Sequence, residues 1–251
     1  MTKIINKKKN STAVITDIRC FSETFKKFQN RNDDTFLKFI ESYYNIQNSI
    51  ASTVSNDVYM TSTGDGVLAI FMDDKHSRSA YAYVISSHRA LTRLCDDFME
   101  KNNDIEISFG MGADSGHVWS IGEGMLSTYV GTVINRASRI ESHTKIFGDT
   151  TTTIGNSLYK KLLKDFYPTA YDLINEYDNY RVLLNENPEV ILVSGQLMLQ
   201  YIHEMKLKGI QANAPIFRLD NWLADKDDLF WKVMNKLVTK DKVSEIYKII
   251  S

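Results

Sequence analysis

The chain has 251 residues, 43% of them hydrophobic and 24% charged, which is enough apolar material for one sizeable core and too little length for two comfortable domains. Lys and Arg number 30 against 31 Asp and Glu, a formal net charge of −1, so no bulk positive field favours nonspecific nucleic-acid binding. No stretch reaches the roughly 20 apolar residues of a membrane span. The start carries no signal-peptide run, and Cys20 and Cys95 have neither metal-ligand spacing nor a disulfide framework. The expectation is a cytoplasmic protein with no membrane or nucleic-acid partner.

Residues 1–10, with the run Lys7-Lys8-Lys9, read as a flexible, solvated start. Ser11 to Ile18 then reads as a short buried strand whose apolar run ends in the carboxylate of Asp17. After the capping residues Asn32-Asp33-Asp34, the spacing of Phe36, Phe39, Ile40, Tyr43, Tyr44 and Ile50 predicts a helix. Val58 to Ser62 and Val67 to Phe71 are strand-like runs joined by Thr63-Gly64-Asp65-Gly66, whose Asp-Gly pair predicts a hairpin turn and puts a second carboxylate there. Ser77 to about Glu100 predicts a long helix and Ile105 to Gly112 a strand, after which Ser115 to Gly122 leads into a loop. Thr132 to His143 predicts a short helix with Asn135 and Arg139 on one face. The mixture points to an α+β sandwich, a mainly antiparallel sheet with helices on one face.

Three segments carry a resemblance: Val14-Ile15-Thr16-Asp17-Ile18-Arg19-Cys20-Phe21-Ser22, Thr61 through Phe71 around Asp65, and Tyr129 through Glu141 around Asn135 and Arg139. In order, separation and intervening elements they resemble the catalytic core of class III adenylyl and guanylyl cyclases over most of residues 11–220. The resemblance implies a ferredoxin-like cyclase sandwich. It also implies closure of a nucleoside triphosphate to a 3′,5′-cyclic monophosphate by two divalent ions, Mg²⁺ or Mn²⁺, at a homodimer interface. Asp17, Asp65 and the Ile18 carbonyl would hold the ions. Phe21 and Ser22 begin the turn whose amides would cradle phosphates, and Lys208 would contact the terminal phosphate, although the usual Lys-Gly-Lys-Gly is reduced here to Lys208-Gly209. Asn135 would position the ribose and Arg139 would stabilise charge at the α-phosphate. Taken singly, each Asp also reads as a strand-end or turn residue bonding its own backbone, Phe21 as a core aromatic, Asn135 and Arg139 as a surface pair, and Lys208 as a solvated lysine.

The base-reading positions depart from the family. Adenylyl cyclases usually carry Lys, and guanylyl cyclases Glu, where this chain has Thr61; the partner position is Thr128. With Tyr59 nearby to shorten the pocket, the chain resembles the pyrimidine cyclases of bacterial Pycsar anti-phage systems, which implies UTP or CTP as substrate and a separate effector that senses the cyclic product. Two threonines do not name a base, so adenylate cyclase remains an alternative, and Tyr59 is equally a core-facing strand residue. A non-catalytic nucleotide-binding module is a second alternative, against which the joint retention of Asp17, Asp65, Asn135 and Arg139 argues. A GGDEF-type enzyme lacks its GG[DE]EF run here. The segment 160–200 is longer than the family needs and reads as an insertion. Residues 221–251 read as a C-terminal helical extension, with Trp222, Leu223, Leu229, Phe230, Val233, Met234 and Leu237 as its apolar stripe.

Overall fold

The computed structural model describes residues 8–122, 128–148, 150–176, 188–206, 213–221 and 226–250. These form an eight-stranded sheet in the order β2-β3-β1-β4-β6-β8-β7, with β5 paired to the far end of β4. The strands are β1 (Lys8–Arg19), β2 (Val58–Ser62), β3 (Gly66–Phe71), β4 (Ser108–Ile121), β5 (Thr128–Val130), β6 (Thr151–Gly155), β7 (Leu199–Lys206) and β8 (Asn213–Leu219). Every pairing is antiparallel except β4 with β6. The helices are α1 (Phe21–Arg31), α2 (Thr35–Val54), α3 (His76–Lys101), α4 (Thr132–His143), α5 (Asn156–Phe166), α6 (Pro168–Glu176), α7 (Pro188–Gln196), α8 (Asp227–Leu237) and α9 (Lys240–Ile250).

Strand β1 organises the sheet because alternate side chains point to opposite faces. Val14 and Ile18 enter the main core with Phe36, Phe39 and Tyr43 of α2 and Tyr81, Val84 and Ile85 of α3. Burying each such aromatic or aliphatic side chain contributes roughly 1.5–3 kcal/mol. Ala13 and Ile15 belong instead to a smaller cluster with Val133, Ala137 and Ile134 of α4. The expectation of helices on one face therefore needs a correction: α2, α3 and α5 share the main core, and α4 lies on the opposite face.

What brings α4 down is the composition of β4. A Cβ at Gly112 would overlap the Glu141 amide and the Ala137 carbonyl, and one at Gly116 would press on Arg136 and Val133. Between them the buried Asp114 accepts from Arg136 Nε at 2.5 Å, and its other oxygen accepts the Leu158 amide of α5 at 3.2 Å. One carboxylate thus ties a strand to two helices.

Three expectations change. Ser115 to Ile121 is strand rather than the lead into a loop, because β1 starts at Lys8 and pairs with β4 from Lys8↔Trp119 to Arg19↔Ser108. Strand therefore also reaches into the expected flexible start. The left-handed turn residue of the hairpin is Gly64, at φ 98°, while Gly66 already belongs to β3 and is glycine because a Cβ would strike the Thr16 carbonyl. Val190 to Val193, in the stretch read as an insertion, form the middle of helix α7.

The stripe Phe230, Val233, Met234 and Leu237 of α8 is buried in the main core beside α3. Arg89 of α3 pairs with Asp227 and lies 4.8 Å over the Phe230 ring. Arg93 donates to the Ile250 carbonyl at the end of α9, and Lys242 donates to the Val54 carbonyl at 3.0 Å. Trp222 and Leu223 lie outside the described residues. No described helix is long and apolar enough to cross a membrane.

Candidate active site

Asp17 is the last residue of β1 paired with β3, opposite Gly66. Strand alternation puts it on the α4 side with Ala13 and Ile15. The hairpin between β2 and β3 folds over this end: the Ile18 amide donates to the Asp65 carbonyl at 2.9 Å, and Tyr44 of α2 donates its hydroxyl to the Gly64 carbonyl at 2.6 Å. These two bonds fix the loop from both sides and bring the Asp65 and Asp17 carboxylates together. Three residues past Asp17, Cys20 takes a left-handed conformation at φ 59°, which turns the chain into α1. Among the described residues no side chain caps α1, which leaves its first-turn N–H groups to an anion.

The result is a cleft of about 500 Å³ lined by Asp17, Ile18, Arg19, Cys20, Phe21, Ser22, Glu23, Asp65, Lys145 and Gly148. Five sequence-predicted residues, Asp17, Ile18, Phe21, Ser22 and Asp65, are thereby brought into one place. Phe21 turns its ring toward α2, 5.5 Å from Phe36, so its contribution to the cleft is backbone while its side chain serves the core. Arg19 and Lys145 are additional cations that the sequence reading missed. Lys145 Nζ lies 3.7 Å from Asp17 Oδ2, and Arg19 donates to Thr144 Oγ1 at 2.7 Å. Its only sequence signal was position: Lys145 is the one basic side chain in the short segment from Thr144 to Gly148.

Burial, and then the neighbouring Asp65 charge, raise the pKa of Asp17. Glu141, at the end of α4, is pushed up to about 7 by burial first and the Asp17 charge second, and its Oε1 has no hydrogen-bond partner among the described residues. Anionic groups are thus crowded here beyond what Arg19 and Lys145 offset, a condition that favours an added cation. Two carboxylates and a neighbouring backbone carbonyl are hard oxygen donors, which fits Mg²⁺ or Mn²⁺. Among the described residues no cluster of three His, Cys, Asp or Glu side chains is poised for a metal, and Asp17 and Asp65, with the Ile18 carbonyl beside them, are the candidate donors.

Asn135 and Arg139 do not line this cleft. Asn135 is exposed on α4 and Arg139 half-buried. The base-pocket candidates are also elsewhere. Tyr59 on β2 rests against Tyr129 of β5 with ring centroids 5.0 Å apart, and Thr61 and Thr128 are exposed. Lys208 lies outside the described residues.

No protein-family model matches the chain, and no curated protein matches it in sequence. Solved structures do match in three dimensions. The adenylyl cyclase CyaB from P. aeruginosa superposes with a TM-score of 0.62 at 18% identity, covering 86% of this chain and 96% of that one. The fold is that of the adenylyl and guanylyl cyclases. The guanylyl cyclase Cya2 gives a TM-score of 0.55 at 17% identity over 85% and 93% of the two chains. An adenylate/guanylate cyclase/hydrolase from Silicibacter pomeroyi gives 0.50 at 15% identity over 86% and 98%. Within the cyclase fold of this chain, the carboxylate cleft and the outer surface of α4 are separate places on one protomer.

Proposed function

We propose that the chain is a nucleotidyl cyclase that closes UTP or CTP into 3′,5′-cyclic UMP or cyclic CMP, releasing diphosphate, as a homodimer with two shared sites. The observation that carries the chemistry is the meeting of Asp17 and Asp65 beneath an uncapped helix N-terminus in a cyclase fold. Residues 11–220 would form the catalytic unit, with an insertion around 160–200 and residues 221–251 as an extension.

Asp17, Asp65 and the Ile18 carbonyl would hold two Mg²⁺ or Mn²⁺ ions, which polarise the ribose 3′-hydroxyl and neutralise the triphosphate when bound. The first-turn amides of α1, at Phe21 and Ser22, bind the β- and γ-phosphates as helix N-termini bind anions, with Lys208 reaching the terminal phosphate. Because Asn135 and Arg139 are absent from the cleft wall of their own protomer, they serve the cleft of the partner. There Asn135 orients the ribose, and Arg139 stabilises the charge that develops on the α-phosphate. A two-fold axis makes both sites equivalent.

The pyrimidine preference rests on Thr61 and Thr128 at the base-reading positions and on Tyr59, whose ring leans on Tyr129 and narrows the space for a base. The absence of a dedicated purine-edge donor disfavours a buried purine, because a polar edge left unpaired loses binding. A cytoplasmic role in bacterial antiviral defence, with a separate effector sensing the product, belongs to the same proposal. Adenylate cyclase activity is the second reading: a similar structure is an adenylyl cyclase, and exposed threonine hydroxyls donate or accept as a purine requires.

Purified protein incubated with Mn²⁺ and each of ATP, GTP, CTP and UTP, with products identified by mass spectrometry, separates the readings. A cyclic pyrimidine is expected. Cyclic AMP alone would sink the pyrimidine assignment, and no product from any of the four would favour a nucleotide-binding module. Asp65→Ala should abolish turnover.

A further inference from the structure

Lys145 sits in the 3₁₀ turn Thr144–Phe147 that follows α4. The first residue of that turn is pinned through its side chain: Thr144 Oγ1 donates to the Glu141 carbonyl at 2.6 Å and accepts from Arg19 at 2.7 Å. The lysine side chain is not pinned in the same way. It is 58% exposed, and its ammonium approaches Asp17 at 3.7 Å, longer than a direct hydrogen bond. It also offsets the Glu141 charge. A flexible four-carbon stem therefore holds a point charge over the carboxylates from a fixed base. The same cleft wall carries the N-terminus of α1, where a polyphosphate would lie.

We propose that Lys145 is a built-in counterion that changes partners: it balances Asp17 while no cation occupies the cleft, and it moves to the phosphate chain once a divalent ion takes the carboxylates. This rests on the metal-and-triphosphate reading of the cleft given above. A divalent ion beside Asp17 repels the ammonium, and the phosphates of a substrate lying along the same cleft wall then offer it a stronger anion than the Glu141 carboxyl, whose pKa burial raises. Lys145 thus competes with the metal and assists the substrate, two effects of opposite sign from one side chain.

The test is Lys145→Gln with Lys145→Arg beside it, measured by Mn²⁺ binding alone (electron paramagnetic resonance) and by calorimetric binding of inorganic tripolyphosphate with Mn²⁺ present. For Lys145→Gln, Mn²⁺ binding should tighten by roughly two- to fivefold, the range of a part-exposed ion pair, and tripolyphosphate binding should weaken by roughly tenfold, the loss of one charge-assisted contact. Lys145→Arg should restore both. Two unchanged affinities, or a loss of both together, would overturn the proposal. Asp65→Asn is the control for the underlying reading: if it binds Mn²⁺ as tightly as the native chain, the metal site itself is misassigned and the role of Lys145 falls with it.

Discussion

Gly112 shows how much of this site is decided by a missing side chain. Its Cα faces the Glu141 amide and the Ala137 carbonyl so closely that no Cβ fits, and both obstacles are helix backbone, which cannot rotate aside. Gly112→Ala should therefore cost about 3 kcal/mol or more, measured by urea unfolding. Gly148→Ala meets open space and only the strain of φ 80°, so it should cost about 1 kcal/mol; equal effects would show that α4 is free to lift. The asymmetry between carboxylates and cations also belongs to this scale. Asp17 and Asp65 were legible because one ends an apolar run and the other marks a turn. Arg19, Glu141 and Lys145 were not: Glu141 and Lys145 approach Asp17 only because α4 crosses the sheet, a contact between positions more than a hundred residues apart that periodicity does not record, and Arg19 joins them through Thr144. The base-pocket candidates and Lys208 remain expectations drawn from resemblance.

Elements respond to pH through histidines that the fold keeps neutral. His88 of α3 shares a 2.9 Å hydrogen bond with Thr152 of β6, and His76 at the start of α3 contacts Thr12 at 2.8 Å and Lys161 at 3.0 Å. Burial pushes the pKa of each down to about 4 from 6.5, with Lys161 adding to the effect at His76. As pH falls through 6.5 the unfolded chain gains protons that the folded chain refuses until about 4. Stability is therefore full above 6.5 and declines toward 4, by roughly 3 kcal/mol for a fully buried histidine. Glu141, raised to about 7, has the opposite sign between 4.5 and 7, so the comparison must be made within one background. His88→Gln should flatten the decline in unfolding free energy between about pH 6.5 and 4.5, and an unchanged slope would mean that His88 does not carry it. Helices α2, α3 and α4 were readable, α4 to the residue, because their apolar faces repeat locally, whereas α6 and α7 lie in the stretch read as an insertion. The second half of β4 was not, since its strand character comes from pairing with Lys8 to Thr12 at the start of β1 and with β5, and its glycines and polar residues resemble a loop when read alone.

For the whole molecule, the separation of the carboxylate cleft from Asn135 and Arg139 makes a quantitative prediction. Asp65→Ala and Arg139→Ala should each be inactive alone, yet a dimer containing one of each would hold one intact site and one doubly damaged site. Random exchange of equal amounts should recover about a quarter of native activity, and no recovery in turnover would exclude shared sites. Removing residues 227–250 should expose the α3 surface that receives Phe230, Val233, Met234 and Ile246, giving a chain that aggregates on heating rather than unfolding cooperatively; reversible two-state melting would show the extension to be dispensable. The fold class was legible from the alternation of strand and helix patterns, whereas the placement of α4 on the far face was not. That placement bears on divergence. Because α4 rests on strand backbone at Gly112 and Gly116, its height above the sheet does not depend on which side chains fill the larger core on the other face. Substitutions can accumulate there without resetting how far Asn135 and Arg139 stand out from the sheet, so two chains of this fold can differ at most positions, as this one and CyaB do at 18% identity, and keep that height.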